Sequence, residues 1–158
     1  MDTAALTRNV QKADLQAYAR LYPLVDAKFV NSVVMNFLSM KDLSFFRTAV
    51  NEIKIKNSFA FCYFPKGCQQ NLLGILGDFF LSLDEINFVV LCAKNDKHIQ
   101  FSMRNKRDDI SCVEVLQEAL KDIGFGGGHF NMAGGVITNL AFFKEKDIFE
   151  RFYRIVGK

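Results

Sequence analysis

The chain has 158 residues; half are hydrophobic, 17 are phenylalanine, and 20 Lys and Arg against 17 Asp and Glu leave a formal charge of +3. That length and apolar content exclude a disordered segment and suffice for a true core, while so mild a charge admits anionic ligands without marking a protein that coats DNA. No apolar run nears the roughly 20 residues that span a bilayer, and Met1-Asp2-Thr3-Ala4-Ala5 lacks the basic-then-apolar layout of a secretory signal, so a cytoplasmic location is expected.

Residues 1–10 read as irregular. Leu15, Tyr18, Ala19 and Tyr22 predict a short helix over 14–22, stopped by Pro23, which disfavours helical backbone in the residue before it. Phe29, Val30, Val33, Val34, Phe37 and Leu38 predict a second helix over 26–39, and Asp42 reads as the N-cap of a third that runs to about residue 54. The apolar, aromatic run 59–64 predicts an interior strand. Pro65-Lys66-Gly67 turns the chain into a helix over 69–81, and 86–93 is a second buried strand. After the tight-turn signal Asn95-Asp96-Lys97, Ile99, Phe101 and Met103 alternate with His98, Gln100, Ser102 and Arg104. Strict alternation predicts a strand with one polar face toward solvent or a ligand.

Ser111 with Glu114 is a capping-box signal, opening a helix whose stripe is Val113, Leu116, Leu120 and Ile123. A glycine loop, a strand over 132–137 and an amphipathic helix over 144–156 complete the order. The expectation is an α/β domain with a mixed sheet of about four to five strands flanked by helices, preceded by a helical linker.

The loop carries the chemistry. Six of the twelve residues 124–135 are glycine, and His129 directly follows the triplet Gly126-Gly127-Gly128. Gly124 alone fits a left-handed helix stop. Three further glycines lose backbone entropy that is accepted mainly where amides must face an anion, with His129 beside it. Arg104, on the polar strand face, can grip a phosphate bidentately, although a surface Arg paired with Asp108 or Asp109 satisfies the same pattern. His98 reads as an exposed residue near a turn, and the phenylalanines as core. Cys62, Cys92 and Cys112 fall in apolar elements, Cys68 completes the four, and no CxxC or Cys/His ligand spacing suggests zinc. No Walker sequence, Ser-His-Asp spacing or carboxylate pair stands out. From the residues alone, this is an anion-binding module with no visible catalytic engine.

Arg104 at the end of a strand, followed by Gly126-Gly127-Gly128-His129 and then Ala133-Gly134, resembles the DHH-associated domain, the C-terminal substrate-binding half of the DHH phosphoesterase superfamily. The resemblance covers about residues 45–140. Asp2-Thr3 with Leu6-Thr7 is similar to the end of the preceding catalytic domain, where the Asp is a metal ligand. On that basis 1–40 is expected to be the tail of the catalytic domain and a helical linker (11–40), and 41–158 the substrate-binding domain. The Asp-His-His motif is missing here, so the chain reads as truncated at the domain junction. Common family patterns have Ser, Pro and Ala where this chain has Asn105, Phe130 and Met132.

The resemblance implies a division of labour. The absent domain would hold Mn2+ or Mg2+ and activate water for in-line attack at phosphorus, with Asp2 as a ligand. The present chain would bind no cofactor and be inactive alone. Arg104, His129 and the amides of Gly126, Gly127 and Gly128 would hold the substrate phosphate. Expected partners are a nucleotide or short single-stranded nucleic acid: oligonucleotides, dinucleotides or phosphoadenosine phosphate. One rival is a stand-alone nucleic-acid-binding module of the kind that ends alanyl-tRNA synthetases, whose version usually lacks the His. Another is a domain serving mainly for homodimerisation.

Overall fold

The computed structural model describes residues 10–30 and 38–157. They fall into two compact units, Met1–Met40 and Lys41–Lys158. In the first, α1 (Lys12–Leu21) opens on a capping box between Gln11 and Asp14, and Pro23 follows in a 3-10 turn, Tyr22–Leu24. A second helix, α2, begins at residue 27 and is described through residue 30. The Asp26 carboxylate accepts from the Lys28 and Phe29 amides at its start. Asp2 and the remainder of the predicted second helix through residue 37 lie outside the described residues.

The second unit is a six-stranded sheet in the order β1-β2-β3-β4-β6-β5. The strands are β1 (Lys54–Lys56), β2 (Phe59–Phe64), β3 (Phe88–Lys94), β4 (Ile99–Asn105), β5 (Phe125–Gly128) and β6 (Met132–Ile137). β2 and β3 are parallel, joined by a crossover helix, and the other neighbours are antiparallel. The sheet is therefore mixed. It has more strands than the four to five expected, because β1 and the first half of the glycine run both form strands.

Alternation divides the core in two. Phe61, Val90, Phe101 and Met103 face α5 (Cys112–Ala119) and α6 (Glu145–Val156), whose Leu116, Ile148 and Phe152 complete that layer. Ala60, Cys62, Val89 and Leu91 face α3 (Leu43–Glu52) and α4 (Gln70–Leu81), which bury Ala49, Leu72, Leu73 and Leu76. Burying a Leu or Phe contributes roughly 1.5–3 kcal/mol, so these two apolar layers dominate the stability. All four cysteines are free and buried.

Two local expectations change. Ser111 is the N-cap residue of α5, but its side chain makes no cap hydrogen bond; the Cys112 amide instead donates to the Phe130 carbonyl at 2.8 Å. α5 ends at Ala119, and the left-handed residue after it is Asp122 (φ 67°), not Gly124.

Candidate functional site

β4 delivers Arg104 to one end of the sheet, opposite Val89 of β3 and Met132 of β6. The polar face of that strand, expected to look toward solvent or a ligand, lies largely beneath a helix. Helix α4 packs over it, Ser102 is only 3% exposed, and the Gln70 amide of α4 donates to the Phe101 carbonyl at 3.2 Å. A polar face is tolerated under a helix when its groups find partners, and these do. Nor does Arg104 pair with Asp108 or Asp109. Its Nε donates to Asp78 Oδ1 of α4 at 2.7 Å, and its Nη1 to the Met103 carbonyl at 2.9 Å and Ser102 Oγ at 3.3 Å. Asp109 is taken by Arg107, whose two hydrogen bonds hold that carboxyl below its ordinary range.

The glycine run is a strand and hairpin instead of a concave nest. Gly126, Gly127 and Gly128 lie opposite Gly135, Gly134 and Ala133, and the His129 amide donates to the Met132 carbonyl at 2.7 Å. In an antiparallel ladder hydrogen-bonded and open pairs alternate. The His129–Met132 bond therefore directs the Gly127 amide toward β6. It leaves the amides of Gly126 and Gly128 at the free edge, so two of the three expected amides remain available to a ligand.

Packing accounts for two of these glycines. A Cβ on Gly126 would lie 2.5 Å from Leu116 Cδ2 and 2.5 Å from the Gly134 carbonyl oxygen. One on Gly128 (φ 155°) would lie 2.4 Å from the Met132 oxygen. Above Gly127 there is no atom within 4 Å, and by alternation it faces the same side of the sheet as Arg104.

Two residues that sequence reasoning did not single out fix this end of the sheet. Asn105 is buried; its Nδ2 donates to the carbonyls of Arg107 (3.0 Å) and Ile110 (2.6 Å), and its Oδ1 accepts from the Arg107 amide at 2.8 Å. Asn131 lies within the hairpin turn: its carbonyl accepts from the Asn105 amide at 3.0 Å, and its Nδ2 donates to the Asn105 carbonyl at 3.3 Å. The only available signal for either was its place directly beside Arg104 or inside the motif. Together with the Cys112–Phe130 bond they clamp the hairpin between β4 and α5. Arg104 and His129 therefore stand at the same end of the sheet with only β6 between them. That is two strand spacings, roughly 10 Å between backbones.

The surroundings are chemically quiet. Burial pushes the Cys112 thiol up to about 12, with the nearby Arg104 charge pulling the other way. Among the described residues no three His, Cys, Asp or Glu side chains are grouped to hold a metal. Two clefts, of about 380 and 640 Å³, are lined by other residues, among them Lys56, Asn87 and Tyr153 in the first and Phe45, Glu52 and Tyr63 in the second. At the Arg104–His129 end, Gly127, Gly128, His129 and Phe130 are exposed, while the Arg104 side chain is only 15% exposed. No described helix is long and apolar enough to cross a membrane.

No curated protein matches the chain significantly. Among solved structures, its fold is similar to that of an exopolyphosphatase-related protein from Bacteroides fragilis (TM-score 0.73, 16% identity), covering 99% of this chain and 46% of that one. It is also similar to RecJ from Thermus thermophilus solved with Mg2+ (TM-score 0.58, 20% identity, 73% of this chain and 17% of that one). The C-Ala domain of Aquifex aeolicus alanyl-tRNA synthetase matches with TM-score 0.56 and 20% identity, over 68% of this chain and 99% of that one. The chain thus spans about half the length of the exopolyphosphatase-related protein. The DHHA1 domain model matches residues 56–156, which take in β2 through α6 with Arg104, the glycine strand and His129. This chain belongs to the DHHA1 domain family, the associated domain of DHH phosphoesterases.

Proposed function

We propose that this domain holds the substrate phosphate for a metal-dependent DHH phosphoesterase acting on short oligonucleotides, dinucleotides or nucleotide phosphates. One observation carries the reading: the fold brings Arg104 and His129 to one end of the sheet, two strands apart, with His129 directly following the edge strand whose Gly126 and Gly128 amides point outward. A guanidinium and backbone N–H groups are suited to phosphoryl oxygens, and more so as negative charge builds on them. His129 is exposed and supplies a further donor. His129 and the hairpin are exposed, and a catalytic domain folded over this end would provide the second surface that excludes water. The Mn2+ or Mg2+ belongs to that domain, where it would activate water; no step is assigned to a metal on the described side chains.

The test is calorimetric titration with the 5′-phosphorylated dinucleotide pApA. Arg104→Ala and His129→Ala are each expected to weaken binding about tenfold, as loss of a charge-assisted hydrogen bond of ~1.5 kcal/mol requires, without unfolding the domain. Unchanged affinity in both variants removes this end of the sheet from the mechanism. The 158-residue chain alone should not hydrolyse pApA with Mn2+; if it does, the division between two domains is wrong.

The likeness to the C-Ala domain, nearly all of which is covered, supports a second reading as a nucleic-acid-binding module. That reading requires tight RNA binding by the isolated chain with a steep salt dependence.

A further inference from the structure

Arg104 does not approach this end of the sheet unsupported. The guanidinium lies along α4, where the helix has glycine at two positions four and one residues before Asp78. A Cβ at Gly74 would sit 2.9 Å from Arg104 Nη2, and one at Gly77 would sit 3.1 Å from its Cγ. Both glycines are buried in the interior of a twelve-residue helix, and glycine is the poorest helix former after proline. The helix gives up two better residues where the Arg104 side chain passes. Asp78 then takes Nε at 2.7 Å, and the Met103 carbonyl and Ser102 hydroxyl take Nη1. Because the guanidinium is a rigid planar fork, fixing Nε and Nη1 fixes the direction of Nη2. Among the described residues Nη2 has no acceptor. The Arg104 side chain is 15% exposed and that of Asp78 is 61% exposed, so the acid stands at the surface and the cation just beneath it.

We propose that Gly74, Gly77 and Asp78 form a cradle on α4 that aims the Arg104 guanidinium at the substrate phosphate, with Asp78 as its positioning residue. This rests on the reading of Arg104 as a phosphate ligand. A pre-aimed guanidinium loses little side-chain freedom when the ligand arrives, which is how positioning raises affinity. A tie that merely fastened α4 to β4 would need neither the glycine slot nor a guanidinium nitrogen left over.

The test uses 15N NMR titrations of the whole chain with pApA, together with the Arg104 Nε–H signal and melting temperatures. Gly74→Ala places a methyl against the far end of a flexible side chain, so the fold is expected to hold while the guanidinium is evicted. We expect Gly74→Ala and Asp78→Ala each to weaken pApA binding at least fivefold with a melting temperature within about 2 °C of the parent. Both should broaden the Nε–H signal. Asp78→Asn, which keeps an acceptor for Nε, should recover most of the affinity. In the Arg104→Ala background, Gly74→Ala and Asp78→Ala should change affinity less than twofold. If Arg104→Ala loses affinity while Gly74→Ala and Asp78→Ala bind like the parent, the cradle is refuted and the phosphate site stands. Tighter binding by Asp78→Ala also refutes it, since Asp78 would then be a competitor for Arg104. If Arg104→Ala binds like the parent, the underlying reading fails.

Discussion

The glycine triplet offers a perturbation whose outcome differs residue by residue. A methyl on Gly126 meets Leu116 Cδ2 and the Gly134 carbonyl at 2.5 Å and Gly135 Cα at 2.7 Å. Nonbonded atoms settle near 3.5–4.0 Å, so about 1 Å must be found between a fully buried leucine and the neighbouring strand. Overpacking of this kind costs typically 1–3 kcal/mol, sometimes more. Alanine's lower backbone entropy cost in a strand returns roughly 0.5–1 kcal/mol. Since two of the three contacts are backbone, which yields little, the net loss for Gly126→Ala is about 2 kcal/mol. For a folded unit of this size that corresponds to a melting temperature lower by roughly 6–10 °C. At Gly127 the added methyl meets no atom within 4 Å, so Gly127→Ala should melt within about 1–2 °C of the parent or slightly higher. Its open space faces the Arg104 side of the sheet, so pApA affinity should fall severalfold. Paired thermal denaturation and calorimetric titration read both effects. If Gly126→Ala melts with the parent, or Gly127→Ala unfolds the domain, the assignment of packing and ligand roles within the triplet is wrong.

Asn105→Ala removes three hydrogen bonds from a buried amide and leaves the Ile110 and Arg107 backbone groups unsatisfied. Urea denaturation should show a loss of about 3 kcal/mol, and a loss below about 1 kcal/mol would mean that water replaces the amide. The thiols of Cys62, Cys68 and Cys112 are raised by burial from 9.0 to about 12. At pH 8 they are therefore protonated and inert, and a thiol reagent should label the folded protein only after denaturant is added. The same shift bears on stability. A raised folded pKa keeps the proton that the unfolded thiol gives up, so this contribution is whole below about pH 9 and lost as pH climbs toward 12. Urea midpoints should decline across that interval, and a flat profile would refute the burial argument.

Much of the fold was legible because strong local pattern and tertiary role agree. The Phe59–Phe64 strand and the α4 helix are each apolar enough to demand burial, and each stands where the sequence indicated; the Met132–Ile137 strand is also in place, though only Ala133 and Ile137 of it are buried. β1 was not legible: Lys54-Ile55-Lys56 is three exposed residues, held as a strand only by pairing with β2. β5 was missed for a related reason. Phe125-Gly126-Gly127-Gly128 has almost no strand propensity of its own, and only the register with β6 extends it. The motif suggested a concave loop where an edge strand exists. Asp78 lies 26 residues before Arg104 on a helix whose turns reveal nothing of what passes beneath them. That pairing, like the slot at Gly74 and Gly77, emerges only when α4 is laid on β4.

The central claim is that the end of the sheet bearing Arg104 and His129 receives a phosphoryl group. Backbone amide shifts on titration with pApA test it residue by residue. The account predicts concerted shifts at Gly126, Gly128 and His129 and at the Arg104 Nε–H, with a smaller change at the Gly127 amide that points to β6. Shifts confined to the cleft around Lys56, Asn87 and Tyr153, with the hairpin unmoved, would contradict it.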